Sequence, residues 1–107
     1  MGVFYSDCVI VNVSHSNRKV TIAKLLVDTG PEFTWIPESA LKQAHIRVTK
    51  KDPAFVMANG QTVTRSTGYA IVRAGGFETV DEVVFGQPGD LSLLGARTLE
   101  GFGATVD

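Results

Sequence analysis

Short runs of β-branched residues separated by turn-forming residues recur along this chain, a pattern that leaves room for many strands and little helix. Val9 to Val13 and Val20 to Val27 form the first strand pair, with the polar segment Ser14-His15-Ser16-Asn17-Arg18 as their hairpin loop. Asn59-Gly60 is the dipeptide that most readily takes the positive φ angles of a type I′ turn, and it predicts a second hairpin joining Phe55-Val56-Met57 to Thr62-Val63. A third pair, Tyr69 to Arg73 and Val80 to Phe85, turns around Gly75-Gly76; its uneven alternation suits strands covered in part on both faces. Leu91-Ser92-Leu93-Leu94-Gly95 reads as a further strand and Gly103 to Val106 as a last one. Two short helices complete the reading. One spans Pro37 to Ala44, with proline at its first position and Leu41 facing inward; the other spans Ala96 to Glu100 and is stopped by Gly101. No linker, low-complexity segment or long repeat divides the 107 residues, so 1–107 is expected to be one domain of all-β class with a closed, barrel-like sheet.

Charge and cysteine content narrow the partners. Ten Lys and Arg against eleven Asp and Glu give a net charge of -1, and no basic run suggests a surface that tracks phosphates, so nucleic acid is not an expected partner. Cys8 is the one cysteine and has no internal disulfide partner, and the first residues lack the features of a secretory signal. A reducing, cytoplasmic setting is expected. No apolar stretch approaches the roughly 20 residues needed to cross a bilayer, so no membrane partner is expected either, and an anchor would lie outside this chain.

Chemistry is concentrated in Leu25-Leu26-Val27-Asp28-Thr29-Gly30. A buried strand delivers a carboxylate, and a hydroxyl and a glycine follow where the chain must turn, which holds the carboxylate against exposed backbone donors. Asp-Thr-Gly alone is also the pattern of an ordinary Asx turn ending a strand, and its surroundings separate the two readings. Phe33-Thr34-Trp35-Ile36-Pro37 follows it, a hairpin is centred on Asn59-Gly60, and Leu93-Leu94-Gly95 with a helix comes near the C-terminus.

In the order and spacing of these parts the chain resembles the retropepsin family of aspartic peptidases over nearly its whole length, in the manner of a single-domain bacterial member. The resemblance implies that Asp28 is catalytic, supported by Thr29 and Gly30, and that the Asn59-Gly60 hairpin is a flap over the cleft. Leu93-Leu94-Gly95 and the following helix would support the catalytic loop. Since one Asp-Thr-Gly is present and the chemistry needs two carboxylates sharing a proton, the second must come from another copy across a two-fold axis, which makes a homodimer. Thr29 would hydrogen-bond across that axis. Water is then the nucleophile, no cofactor or metal is required, and like charges brought together titrate in two steps and favour mildly acidic conditions, as in pepsin, the standard case. A peptide or protein substrate would lie extended and pair with the flap. By the same resemblance Glu32 contacts its backbone, Val56 and Met57 approach from the flap beside Asn59 and Gly60, and Leu91 and Leu93 line its pockets. Plain core packing is the competing role for the leucines and Val56.

Three departures from the family pattern matter. Pro31 stands where Ala or Ser is usual, removing a backbone N–H and fixing φ beside the catalytic loop. Gly95-Ala96-Arg97 replaces the retroviral Gly-Arg-Asn or Gly-Arg-Asp, so Arg97 either braces the loop from the next position or is a solvated helix residue. The chain stops at Thr105-Val106-Asp107, where bacterial relatives run further, which predicts a shortened chain and a weak dimer. The rival to an active peptidase is therefore an inactive module of the same fold that dimerises or binds extended peptides. His15, His45 and Cys8 match no metal-ligand spacing and the two histidines are expected at the surface, Trp35 is expected in the core beside the catalytic loop, and Asn12-Val13-Ser14 is a sequon placed in a strand, not a glycosylation site.

Overall fold

β1 (Phe4–Val11) and β2 (Lys19–Val27) pair antiparallel and start a ring that a computed structural model of the protein describes over residues 4–103. β3 (Thr34–Pro37) leads into α1 (Glu38–Gln43); β4 (Ala54–Val56) and β5 (Thr62–Thr64) form a separate hairpin. β6 (Thr67–Ala74) and β7 (Phe77–Gly86) form the longest hairpin, and β8 (Leu93–Leu94) precedes α2 (Ala96–Gly101). Six strands close in the order β1-β2-β8-β3-β7-β6, with β6 pairing back onto β1. The chain is thus mostly β with two short helices, as the alternation of β-branched runs and turns requires.

Several local outcomes differ from expectation, each for a physical reason. β1 begins earlier and stops before Asn12, whose side-chain oxygen accepts the N–H groups of Ser14 and His15 and so diverts the backbone from the ladder. Asp7 sits at a bulge opposite Ala23 and Lys24, where the Lys24 N–H donates to the Asp7 carboxylate and Lys24 takes a φ of 55°. The type I′ geometry falls at Gly75-Gly76, which joins Ala74 directly to its partner Phe77 with φ of 56° and 84°. The Asn59-Gly60 hairpin uses a longer loop: the Met57 N–H donates to the Gln61 carbonyl and only Gly60 has positive φ. Asn59 contributes through its side chain, which accepts the Gln61 N–H. β8 is confined to two residues, leaving Leu91 and Ser92 outside the strand, and Pro37 caps α1 from outside its first turn. Gly101 belongs to α2, and a Cβ there would lie 2.5 Å from the Thr79 hydroxyl. The last strand expected from Gly103 to Val106 lies outside the described residues beyond Gly103.

Inside the ring Ile10, Leu25, Val72, Val83, Phe85 and Leu94 meet, closed at one end by Leu41 of α1 and at another by Leu99 of α2. Each such burial contributes about 1.5–3 kcal/mol. Cys8 lies within this cluster, and burial pushes its thiol up to about 12, which makes it an inert core residue. No helix among the described residues is long and apolar enough to cross a membrane.

The β4–β5 hairpin is tied to the ring at its base. Arg65 donates from Nε and Nη2 to the two carboxylate oxygens of Asp90, at 2.7 and 3.0 Å, and from Nη1 to the Thr64 carbonyl. The Asp90 carboxylate also accepts the Gln87 N–H. Hydrogen bonding from Arg65 holds the Asp90 carboxyl below the usual carboxylate range, with partial burial acting in the opposite sense. A depressed folded-state value stabilises the fold above the ordinary carboxylate value and is lost as pH falls through the lowered one. Arg65→Met is therefore expected to cost about 1–2 kcal/mol in urea denaturation at neutral pH, and the gap to the parent protein should narrow as pH falls through the lowered Asp90 value. An unchanged gap at acid pH would count against this pair.

Candidate active site

The loop after β2 is held from behind. Asp28 ends the strand with its N–H donated to the Leu94 carbonyl, so β8 sets the height at which the carboxylate emerges. Its side-chain oxygen accepts the Gly30 N–H at 2.9 Å, and the carboxylate is partly exposed while Thr29 and Gly30 are exposed. A Cβ on Gly30 would come within 3.2 Å of that oxygen, so a side chain there would crowd the carboxylate. Pro31 is accommodated: its carbonyl accepts the Ala96 N–H, and the Glu32 carbonyl accepts the Arg97 N–H, both at 2.9 Å. Two donors in the first turn of α2, which have no partner within the helix, are thereby satisfied by the loop they support.

Gly95 is the contact on which this depends. A Cβ at residue 95 would lie 2.3 Å from the Phe33 carbonyl oxygen, a distance no side chain tolerates. The Gly95 N–H donates to Thr34 Oγ1, Thr34 meets Thr98 Oγ1, and Thr98 Oγ1 reaches the Asp81 carboxylate at 2.8 Å. The sense of this chain follows from counting hydrogens. The carboxylate only accepts, so Thr98 donates to it; Thr98 then accepts from Thr34, whose free lone pairs take the Gly95 N–H. Thr34 and Thr98 are fully buried and Asp81 nearly so, which makes every link costly to leave unmade.

A second apolar cluster lies under the hairpin. Trp35, Val84 and Leu93 are buried there, and Leu26, Phe33, Phe55, Met57 and Val63 pack on them. Phe55 meets Phe33 and Trp35 edge-on, with ring centroids 5.5 and 5.4 Å away. Alternation along β4 therefore turns Phe55 inward and leaves Val56 on the outer face, 77% exposed. Among the other residues singled out from sequence, Met57 is on the inner side, Asn59 and Gly60 form the exposed tip, Leu93 is 4% exposed beneath the hairpin, and Leu91 is 73% exposed ahead of β8. Glu32 is exposed, its carboxylate 3.9 Å from Arg97, whose guanidinium also lies 4.9 Å over the Phe33 ring. Arg97 is itself exposed, so it combines the two roles open to it from sequence, a solvated helix residue that also touches the loop. Trp35 is buried beside the loop as expected, and His15 and His45 are exposed. No group of three His, Cys, Asp or Glu among the described residues is placed to hold a metal ion.

The sequence profile of the family described as gag-polyprotein putative aspartyl protease matches residues 11–101, which takes in the Asp28 loop, the hairpin, β8 and α2. The chain belongs to that family. It is accordingly a retropepsin-like protein of the aspartyl protease type. No curated protein matches the sequence. Within the retropepsin-like frame, sequence reasoning passed over Phe55, Thr34, Thr98 and Asp81. Thr34 carried a signal, a hydroxyl inside the apolar run Phe33-Thr34-Trp35-Ile36, whereas Thr98 beside Arg97 and Asp81 beside Glu82 stand among polar neighbours and carried none.

Thr98→Val is expected to lower stability by about 2–3 kcal/mol in urea denaturation, because it leaves the buried Thr34 hydroxyl hydrogen without its acceptor and removes one of the two donors to the Asp81 carboxylate, the Glu82 N–H remaining. Gly95→Ala should cost at least about 3 kcal/mol by forcing the Phe33 carbonyl away. A mild effect of either would remove the relay from its supporting role.

Proposed function

We propose that the protein is an aspartic endopeptidase that works as a homodimer, with Asp28 of each subunit facing its counterpart across the two-fold axis. The observation that carries this reading is the partly exposed Asp28 carboxylate at the end of β2, oriented by the Gly30 N–H and backed by β8 and α2 in a chain with a single Asp-Thr-Gly. One subunit offers one carboxylate, and the reaction needs two in different protonation states.

In the reaction the ionised Asp28 takes a proton from a water held between the two carboxylates, and the protonated one donates to the scissile carbonyl oxygen as the water oxygen attacks carbon. The tetrahedral intermediate collapses when the Asp28 that took the water proton passes it to the amide nitrogen and the C–N bond breaks, while the other Asp28 takes a proton from a hydroxyl of the intermediate, so that one of the pair is protonated again. Thr29 from each subunit ties the two loops together, and Gly30 leaves room for the carboxylate to be approached. The substrate lies extended beneath the hairpin, pairing with the backbone near Asn59 and Gly60. Glu32 contacts the peptide backbone. Lifting the hairpin withdraws Phe55 and Met57 from Trp35 and Leu93, and apolar substrate side chains take their place on that floor. Val56 and Leu91, apolar and exposed in a single subunit, are covered by substrate or by the second copy. Gly30 supplies the donor that Pro31 lacks, so the proline does not remove the oriented carboxylate and the reading favours an active enzyme over an inactive module.

Asp28→Asn is expected to lower peptide cleavage by at least about 10³-fold while leaving fold and dimer intact. Cleavage by the parent protein should be greatest at mildly acid pH, where the carboxylate pair shares one proton, and its specific activity should rise with protein concentration. Adding excess Asp28→Asn protein to the parent should suppress cleavage through mixed dimers. Activity independent of concentration and indifferent to the added variant would rule out a shared site.

A further inference from the structure

A cleft of about 490 Å3 opens at the other end of β2 from Asp28, between the β1–β2 loop and the segment that leaves α1. Arg18 and His15 project from the first wall, His45 and Arg47 from the second, and Thr49 and Tyr69 lie beside them. No carboxylate lines it, and neither arginine has an ion-pair partner among the described residues. Glu82, which faces Tyr69 across the β6–β7 pair, is committed to the Thr67 hydroxyl and to Lys50. In a chain of net charge -1 this is a concentration of positive charge that the fold itself does not neutralise.

The walls are fixed before anything binds. Asn12 joins them: its amide nitrogen donates to the Ala44 and His45 carbonyls while its oxygen accepts the Ser14 and His15 N–H groups. Arg47 is held through its backbone, whose carbonyl rests where a Cβ on Gly68 would lie, and the Thr49 N–H donates to the Thr67 carbonyl. Arg18 donates to His45 Nδ1, which places the remaining imidazole hydrogen on Nε2 as a donor.

We propose that this cleft binds the phosphoryl group of a small phosphate ester. Arginines drawn from opposite walls suit an anion whose several oxygens can be shared between them, which a single carboxylate serves less well. The volume falls in the range of sites that enclose a small organic molecule, so the phosphoryl group occupies only part of it. Val13, 51% exposed, and the Tyr69 ring, 43% exposed, supply apolar surface for the rest of the ligand.

The test is an amide-resolved NMR titration of the whole chain with phenyl phosphate, inorganic phosphate and phenol, at constant ionic strength set with chloride. Phenyl phosphate should saturate, with shifts confined to residues 12–18, 44–49 and 69, and bind several-fold more tightly than inorganic phosphate; phenol should leave these residues unmoved. Arg18→Gln and Arg47→Gln, both exposed and away from Asp28, should each weaken binding by about tenfold while preserving the spectrum elsewhere. Equal affinity for the two phosphates would overturn the ester and leave a site for free phosphate. Absence of saturation, or undiminished binding by both variants, would overturn the site altogether. Neither result depends on whether the protein cleaves peptides.

Discussion

Closure of the ring rests on a steric constraint at one residue. β8 has only Leu93 and Leu94 with which to join β2 on one side to β3 on the other, and the chain must then turn at once into α2. It does so with Gly95 pressed against the Phe33 carbonyl, a contact that any side chain would break. The height of Asp28, the start of α2 and the satisfaction of the Pro31 and Glu32 carbonyls all follow from that approach. A short strand bridging two neighbours has little ladder energy of its own, so its place must be fixed by something directional.

The relay from Gly95 through Thr34 and Thr98 to Asp81 supplies the direction. The apolar clusters on either side of it contribute most of the burial energy but tolerate small displacements, because burial depends on area rather than angle. Hydrogen bonds between buried hydroxyls do not tolerate them. Division of labour between a forgiving core and an exacting polar line explains why a carboxylate is kept at Asp81, on a strand where an aliphatic residue would pack as well.

What could be read from the sequence was what is local or carried by a motif. The Asp28-Thr29-Gly30 loop, the hairpin at Asn59-Gly60, the inward Leu41 and the Leu93-Leu94-Gly95 segment with its helix all depend on neighbours a few residues apart, and they were readable for that reason. The class of each turn was not: Asn59-Gly60 and Gly75-Gly76 both permit type I′, and the register of the flanking strands, set by distant pairings, decided in favour of the second. The Thr34–Thr98 contact and the meeting of Arg18 with His45 join positions far apart in sequence. No spacing announces such pairs, and without a basic run the charge around Asn12 stayed hidden in an ordinary composition.

The pairing pattern also bears on how such a chain stays out of aggregates. Every strand of the ring has a neighbour on each side over at least part of its length, which leaves fewer free backbone donors and acceptors than an open sheet would. The β4–β5 hairpin stands apart as a two-stranded sheet with both outer borders unpaired, so foreign backbone can add to it. Unwanted association and wanted recognition therefore compete for the same few residues, and the hairpin's shortness, together with the burial of Phe55, Met57 and Val63 against the ring, limits what the first can gain.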